Sequence, residues 1–498
     1  MDQLCTRRVD SQRIPLHGLI DIRPIGETMN EKYRINRRQS LGYTFAGGAA
    51  TMLGPVANLS LAAELHDGHP LVPKLTHHPA KAKNLIFVFL TGGFSHVDTF
   101  DPKPKLSRDD GKYIPYDHPL HAYKKRLELR PKDKMYASPF TFQPYGDSGL
   151  MISELFPHLG SVADDLCVIR SMYTDLTEHF QATTAMHTGS ASVPMPSIGA
   201  WLSYGLGTRN LDLPSYIVLC ERIPYAGSQV WDNNFLPPVH QGVRVIPGDQ
   251  PVANLKSPAR SVKLAELERI MLHDMNQLHA GQRSGDLELL ARMNADSTAA
   301  GMMRVAPPMF DVSKESDATF KQYGLQRGDN KSFAWQCLAA RRMIERGVRV
   351  VELIDTGSNN NWDAHDNMEL HRPKARRVDL SLAALIRDLK QRGMFDETLI
   401  AICTEFGRTP FSDGVGRSHH GAAFTCLLAG AGVKGGVTYG ETDDYGVEIA
   451  SQPCHVHDYH ATILHLMGID HTKLTYRYAG RDFRLTDVHG NVVHEVLA

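Results

Sequence analysis

The chain has 498 residues, of which 42% are hydrophobic and 22% charged, a balance that describes a globular protein with a sizeable core. Its formal net charge of -1 argues against general affinity for nucleic acid or acidic membranes. The seven cysteines show no C-x-x-C spacing, and those inside apolar runs read as buried free thiols rather than disulfides.

Residues 1–28 carry no apolar periodicity and are expected to be an unstructured extension ahead of a functional start at Met29. From Met29 to about residue 65 a basic segment ends in Arg37-Arg38, and a weakly hydrophobic Gly/Ala-rich run follows. This is the layout of a twin-arginine export signal, so the protein is expected to engage the twin-arginine machinery and to reside in the periplasm or outside the cell. The glycines between 42 and 54, with Pro55, argue against an ordinary helix and leave the run too weakly apolar for a membrane span. Residues 65–83 read as a His/Pro-rich linker.

The run Leu85–Leu90 is wholly apolar and stops at Gly92-Gly93, as expected of a strand buried on both faces of a parallel sheet. Ser95, His96, Asp98 and Asp101 follow directly. In open α/β sheets ligands bind where strands release the chain at their carboxyl ends, so this cluster is a candidate site. Residues 102–150 read as a long excursion, 153–165 as a helix, and 166–170 and 213–220 as short strands. Between those strands, TEHFQATTAMHTG places His179 and His187 on about two turns of helix. Leucine, isoleucine and methionine recur at three- and four-residue spacing from Leu264 to Leu278, predicting a helical insertion over 257–303 with these side chains in its core. A helix at 332–346, a strand at 348–354, a helix at 373–392 and strands at 398–404 and 423–429 complete the pattern. Alternating helices and buried strands predict an α/β fold with a doubly wound, mostly parallel sheet.

Polar clusters recur after the later strands. DTGSNNNWDAHDN offers Asp363 and His365, EFGRTP offers Glu405 and Arg408, and GRSHHGA brings His419 and His420 towards the same edge. Histidine and carboxylate together point to one or two divalent metals bound by mixed nitrogen and oxygen ligands. Asp98, Asp363, His365, Glu405, His419 and His420 are the candidate ligands, for Zn, Ca or Mg. Arg408 could hold an anionic oxygen by paired hydrogen bonds. His179 could act as general acid or base.

The series GGFSHVDTFDPKP, NNWDAHDN, TEFGRTP, GRSHHG and HDYHATILHLMGID resembles the domain-of-unknown-function 1501 family from about residue 40 to 498. That family is similar to the alkaline phosphatase and sulfatase superfamily. The resemblance implies an exported, sulfatase-like α/β domain over 84–498 and carries over no established reaction; the candidate metal ligands lead to the expectation of metal-dependent hydrolysis of sulfate or phosphate esters, on an anionic ester or a polysaccharide. The alternative is a non-catalytic member that binds carbohydrate or another surface partner. Where sulfatases carry C-x-P-x-R, this chain has His179, Gln181 and Thr183, so formylglycine chemistry is excluded. Where the superfamily places paired acids after the first strand, Thr91-Gly92 stand. Where it places Asp-His after a late strand, this chain has Glu405-Phe406.

Overall fold

The computed structural model describes residues 70–113, 134–253, 255, 261–283, 286–413 and 415–498. The expected extension at 1–28 and signal segment at 29–65 lie outside these residues.

A nine-stranded sheet organises the chain. Its strands are β1 (Asn84–Phe89), β2 (Leu166–Tyr173), β3 (Tyr216–Cys220), β4 (Val243–Val245), β5 (Val350–Ile354), β6 (Thr398–Cys403), β9 (Phe424–Ala429), β10 (Val437–Tyr439) and β11 (Cys454–His455). Two further strands, β7 (Gly407–Asp413) and β8 (Gly416–His420), form a separate hairpin between β6 and β9. The order across the sheet is β10-β2-β9-β6-β1-β5-β3-β4, with β11 also paired to β2. All pairings are parallel except those of β9 with β2 and β6. The reversal of β9 has a simple cause. A parallel return needs a crossover connection of a dozen or more residues, usually a helix. Here the chain between β6 and β9 is taken up by the β7–β8 hairpin instead.

Seven helices matter below: α1 (His179–Thr188), α2 (Ile198–Leu206), α3 (Val262–Gly281), α4 (Leu287–Val305), α5 (Phe333–Glu345), α6 (His371–Gln391) and α7 (Val456–Leu466). Because side chains alternate across a strand, β1 feeds two cores. Ile86 and Val88 join Trp335 of α5 and Val378 and Leu382 of α6 on one face. Leu85, Phe87 and Phe89 join Trp201 of α2 and Tyr459 and Ile463 of α7 on the other. Helices on both faces explain why the central strands read as continuous apolar runs. The six cysteines among the described residues are free and buried, as expected of thiols inside those runs. Among the described residues no helix is long and apolar enough to cross a membrane.

Two expectations are corrected. The stretch 153–165 is not one helix: Ser153 closes a strand, and only the short turns Pro157–Gly160 and Ala163–Asp165 are helical. Proline is tolerated only at a helix start, so Pro157 opens a new turn rather than continuing one. The 257–303 insertion does form two helices, α3 and α4. The apolar residues of α3, however, face solvent instead of a core: Leu267, Met271, Met275 and Leu278 are 55–72% exposed.

The turn leaving β1 positions the site. Gly92 has φ +110, and a Cβ there would lie 2.7 Å from both Asn361 Oδ1 and the Trp362 backbone nitrogen. Only glycine adopts this backbone while lying so close to the 361–362 segment. Gly92→Ala is therefore expected to lower stability by about 1–3 kcal/mol, read as a reduced midpoint in chemical denaturation. A midpoint equal to that of the parent would show that the turn is not constrained in this way.

Candidate metal centre

The site is assembled from α1, the segment after β5, the end of β6 and the β7–β8 hairpin. Helix α1 begins at His179, and the Glu178 carboxylate before it accepts the Gln181 backbone N–H at 3.0 Å. This cap satisfies one of the free amides at the helix start and fixes where the helix, and hence His179, begins. Glu405 is fully buried just beyond β6. Its Oε1 lies 2.8 Å from the Gly92 backbone nitrogen and 2.7 Å from His179 Nδ1, and its Oε2 accepts the Thr404 hydroxyl at 3.0 Å. After β5, Asp355 receives the Thr91 N–H and the Trp362 indole N–H, at 3.0 and 2.8 Å. Asn361 Oδ1 then accepts the Asp363 N–H at 2.9 Å, turning that carboxylate inward.

Four side chains converge on Asp363. Its Oδ1 lies 2.6 Å from Arg408 Nη2, 2.9 Å from His365 Nε2 and 3.3 Å from His419 Nε2, and its Oδ2 lies 3.2 Å from His179 Nε2. His365 Nε2 and His419 Nε2 are themselves 2.9 Å apart. One ligand atom each from His179, Asp363 and His419 fall within 4.8 Å of one another, as in a metal-binding group.

The protons decide what this cluster is. His419 Nδ1 lies 2.7 Å from the Thr177 carbonyl, which can only accept, so Nδ1 carries the hydrogen. Burial lowers the His419 pKa, favouring the neutral ring, and its Nε2 then presents a lone pair. That lone pair faces a carboxylate oxygen. His365 Nε2 lies 2.9 Å from both Asp363 Oδ1 and His419 Nε2, two acceptors, so it carries the hydrogen between them. The inward lone pair of His419 Nε2 and the Asp363 carboxylate, 3.3 Å apart, are donor atoms that one cation could share. Buried His179 Nε2 points at Asp363 without an aligned hydrogen bond, and so offers one more nitrogen donor. Burial opposes a charge on His179, but Asp363 and Glu405 outweigh it and raise its pKa. Burial likewise opposes the Asp363 charge, yet the three imidazoles and Arg408 hold its carboxyl well below the usual carboxylate range.

His179, Asp363, His365 and His419 are thus brought together, with Glu405 behind His179. Three other expected residues are placed differently. Asp98 is fully buried in a two-point ion pair with Arg417, Oδ2 to Nε at 2.6 Å and Oδ1 to Nη2 at 3.0 Å, so both of its oxygens are already engaged. His420 is turned away from the cluster because adjacent residues of a strand point to opposite sides. Its Nε2 donates to the Val447 carbonyl at 2.7 Å, its ring stacks on His96, and burial brings its pKa down to about 3. Arg408 is fully buried, and its guanidinium bonds the Gly92, Gly93 and Arg417 carbonyls besides Asp363. It braces the cluster from beneath rather than presenting its donors to a substrate anion.

Tyr225 and Asn361 were not among the expected residues. The Tyr225 ring stacks on His179 with centroids 4.1 Å apart, and its hydroxyl accepts from Asn361 Nδ2 at 2.8 Å. Burial pushes its phenol up to about 12. The available signal was position: Tyr225 follows β3 at the same sheet edge. A cavity of about 660 Å³ lined by Val252, Leu255 and Phe310 contains none of these residues.

The profile of a family described as "Protein of unknown function (DUF1501)" matches residues 82–497. The chain belongs to this family. No curated protein matches its sequence. Among similar solved structures, the lipoteichoic acid synthase LtaP from Listeria monocytogenes is 9% identical, with 85% of this chain and 80% of that one covered at a TM-score of 0.36. An alkaline phosphatase superfamily protein from Vibrio parahaemolyticus is 12% identical, covering 83% and 74% at 0.36. A sulfatase from Pseudoalteromonas sp. is also 12% identical, covering 83% and 70% at 0.31.

The buried Asp98–Arg417 pair yields a prediction about stability. Arg417→Met leaves a buried carboxylate uncompensated, and a loss of about 3–5 kcal/mol is expected in chemical denaturation at neutral pH. Burial alone would raise the Asp98 pKa, but Arg417 lowers it overall. Its contribution is therefore complete above the unfolded value of about 3.9 and is lost as pH falls through the lower folded value. The gap between parent and variant should close in that acid range.

Proposed function

We propose that this family member is an exported, metal-dependent hydrolase of sulfate or phosphate esters, with esters on polysaccharides among its substrates. One observation carries the reading: ligand atoms of His179, Asp363 and His419 lie within 4.8 Å of one another, with the outer nitrogens of both rings held by protein partners. Two imidazoles and one carboxylate, with His365 beside them, suit zinc better than calcium or magnesium, which prefer all-oxygen shells. Such an ion would supply polarisation of the ester oxygens and a bound water of lowered pKa.

The chain's own residues support this chemistry in separable ways. The Thr177 carbonyl and Glu405 hold the outer nitrogens of His419 and His179, fixing which ring nitrogen faces inward. Arg408 ties Asp363 to the glycine turn after β1. Tyr225 covers one face of His179 and keeps water from it. Export through the twin-arginine route rests on Arg37-Arg38 and the Gly/Ala-rich run behind them. The engagement of every Arg408 nitrogen within the protein favours a second reading, a metal-bearing module that binds sugar without hydrolysing it.

Zinc titration by calorimetry is expected to show one tight site on the metal-stripped protein. Asp363→Ala or His419→Ala should weaken it at least tenfold, by about 1.4 kcal/mol or more. Unchanged affinity in both variants would rule out this centre. Hydrolysis of nitrophenyl sulfate or phosphate is expected to stop on chelation, return with zinc and be lost in His179→Ala. Tight zinc binding without hydrolysis of either ester would favour the binding module. Lysine at both Arg37 and Arg38 should leave precursor in the cytoplasm, and unaltered export would remove that part of the reading.

A further inference from the structure

Helix α3 is 20 residues long and nearly all surface. Among residues 263–281 only Ala265, Asn276 and Ala280 are less than exposed. Yet it carries Leu264, Leu267, Ile270, Met271, Leu272, Met275 and Leu278, from 41% to 72% exposed. Helices in proteins draw most of their stability from packing an apolar face, and contiguous exposed apolar patches mark contacts with something else. Leu264, Leu267, Met271, Met275 and Leu278 occupy a stripe about 80° wide at ~100° per residue, the width of a helix-pairing seam.

The spacing along that stripe identifies its occupant. Its steps are three, four, four and three residues, the same read in either direction about Met271. A two-fold interface uses the same patch on both copies and must be self-complementary. Laid antiparallel on a second copy, Leu264 meets Leu278, Leu267 meets Met275, and Met271 meets itself. A membrane surface places no such demand on the order. Interfacial helices also favour Lys and Arg on their polar face. The exposed charges here, Lys263, Glu266, Glu268, Arg269 and Asp274, are mixed with an acidic excess.

We infer that two copies of this chain associate through α3, as an antiparallel pair with its two-fold axis at Met271. The helix is about 30 Å long, so the seam falls at the small end of interface sizes and the dimer is concentration-dependent. This inference is independent of the chemistry proposed for the metal centre.

Sedimentation velocity of the full chain across a wide concentration range should show a monomer–dimer equilibrium. Leu267→Glu or Met271→Glu should weaken it at least about tenfold while leaving the thermal midpoint unchanged at dilutions where the parent is monomeric, because both positions are solvent-facing in the monomer. A short bifunctional maleimide should crosslink Met271→Cys with itself. Leu264→Cys should not react with itself, but should react with Leu278→Cys when the two are mixed. The described native thiols are buried, and the parent serves as control. A parent monomeric throughout, or dimers indifferent to both glutamates, would overturn the inference. So would self-crosslinking of Leu264→Cys as efficient as that of Met271→Cys, which signals a parallel pair. Co-sedimentation of a monomeric parent with phosphatidylglycerol vesicles would assign the face to lipid instead.

Discussion

The buried carboxylate of Glu405 is the constraint on which the site depends. An ionised group without water is costly unless its oxygens are hydrogen-bonded. Here the glycine turn after β1, the Thr404 hydroxyl and His179 all meet it. Satisfying that one carboxylate holds the end of β6, the end of β1 and the start of α1 together. A second buried glutamate, Glu352 of β5, does the same at the other end of the helix. It lies 2.9 Å from His187 Nε2 and accepts the Tyr216 hydroxyl. Helix α1 is thus held through a histidine near each end, and the ring of His179 has little freedom to move off the cluster.

The β7–β8 hairpin supplies the rest by alternation. His419 pairs in register with Arg408, and both reach Asp363. His420 pairs with Gly407 and is carried to the opposite side, among His96 and the Val447 carbonyl. Arg417 reaches back to Asp98, so the hairpin is riveted to the turn after β1 by a pair that water cannot screen. Two arginines that resemble substrate-binding groups by type are instead structural, because the fold surrounds each with carbonyls and carboxylates.

Helix α3 stands apart from this economy. Helices α2, α5, α6 and α7 pack apolar residues against the sheet, whereas α3 leaves a stripe uncovered whose order is symmetric about its centre. The same three- and four-residue spacing that marks a core helix also marks a pairing seam. Periodicity reports that a face wants to be covered, not by what.

The sequence by itself determined the sheet and the sheet edge. Continuous apolar runs such as Leu85–Leu90, too short for a helix and stopped by Gly92-Gly93, read as strands covered on both faces, and alternating helices supply that cover. The polar residues after those runs therefore had to gather at the carboxyl edge, and His179, Asp363, His365, Glu405 and His419 did so. Only the tertiary structure decided which candidates meet. Asp98 and His420 have the right chemistry and lie close in sequence to the right strands. Yet one is neutralised by Arg417 and the other points the wrong way on its strand. The reversal of β9, the stacking of Tyr225 on His179 and the turning of Asp363 by Asn361 were equally beyond local reading. Each depends on contacts between residues far apart in the chain, and local spacing carries no record of the direction in which a side chain finds its partner.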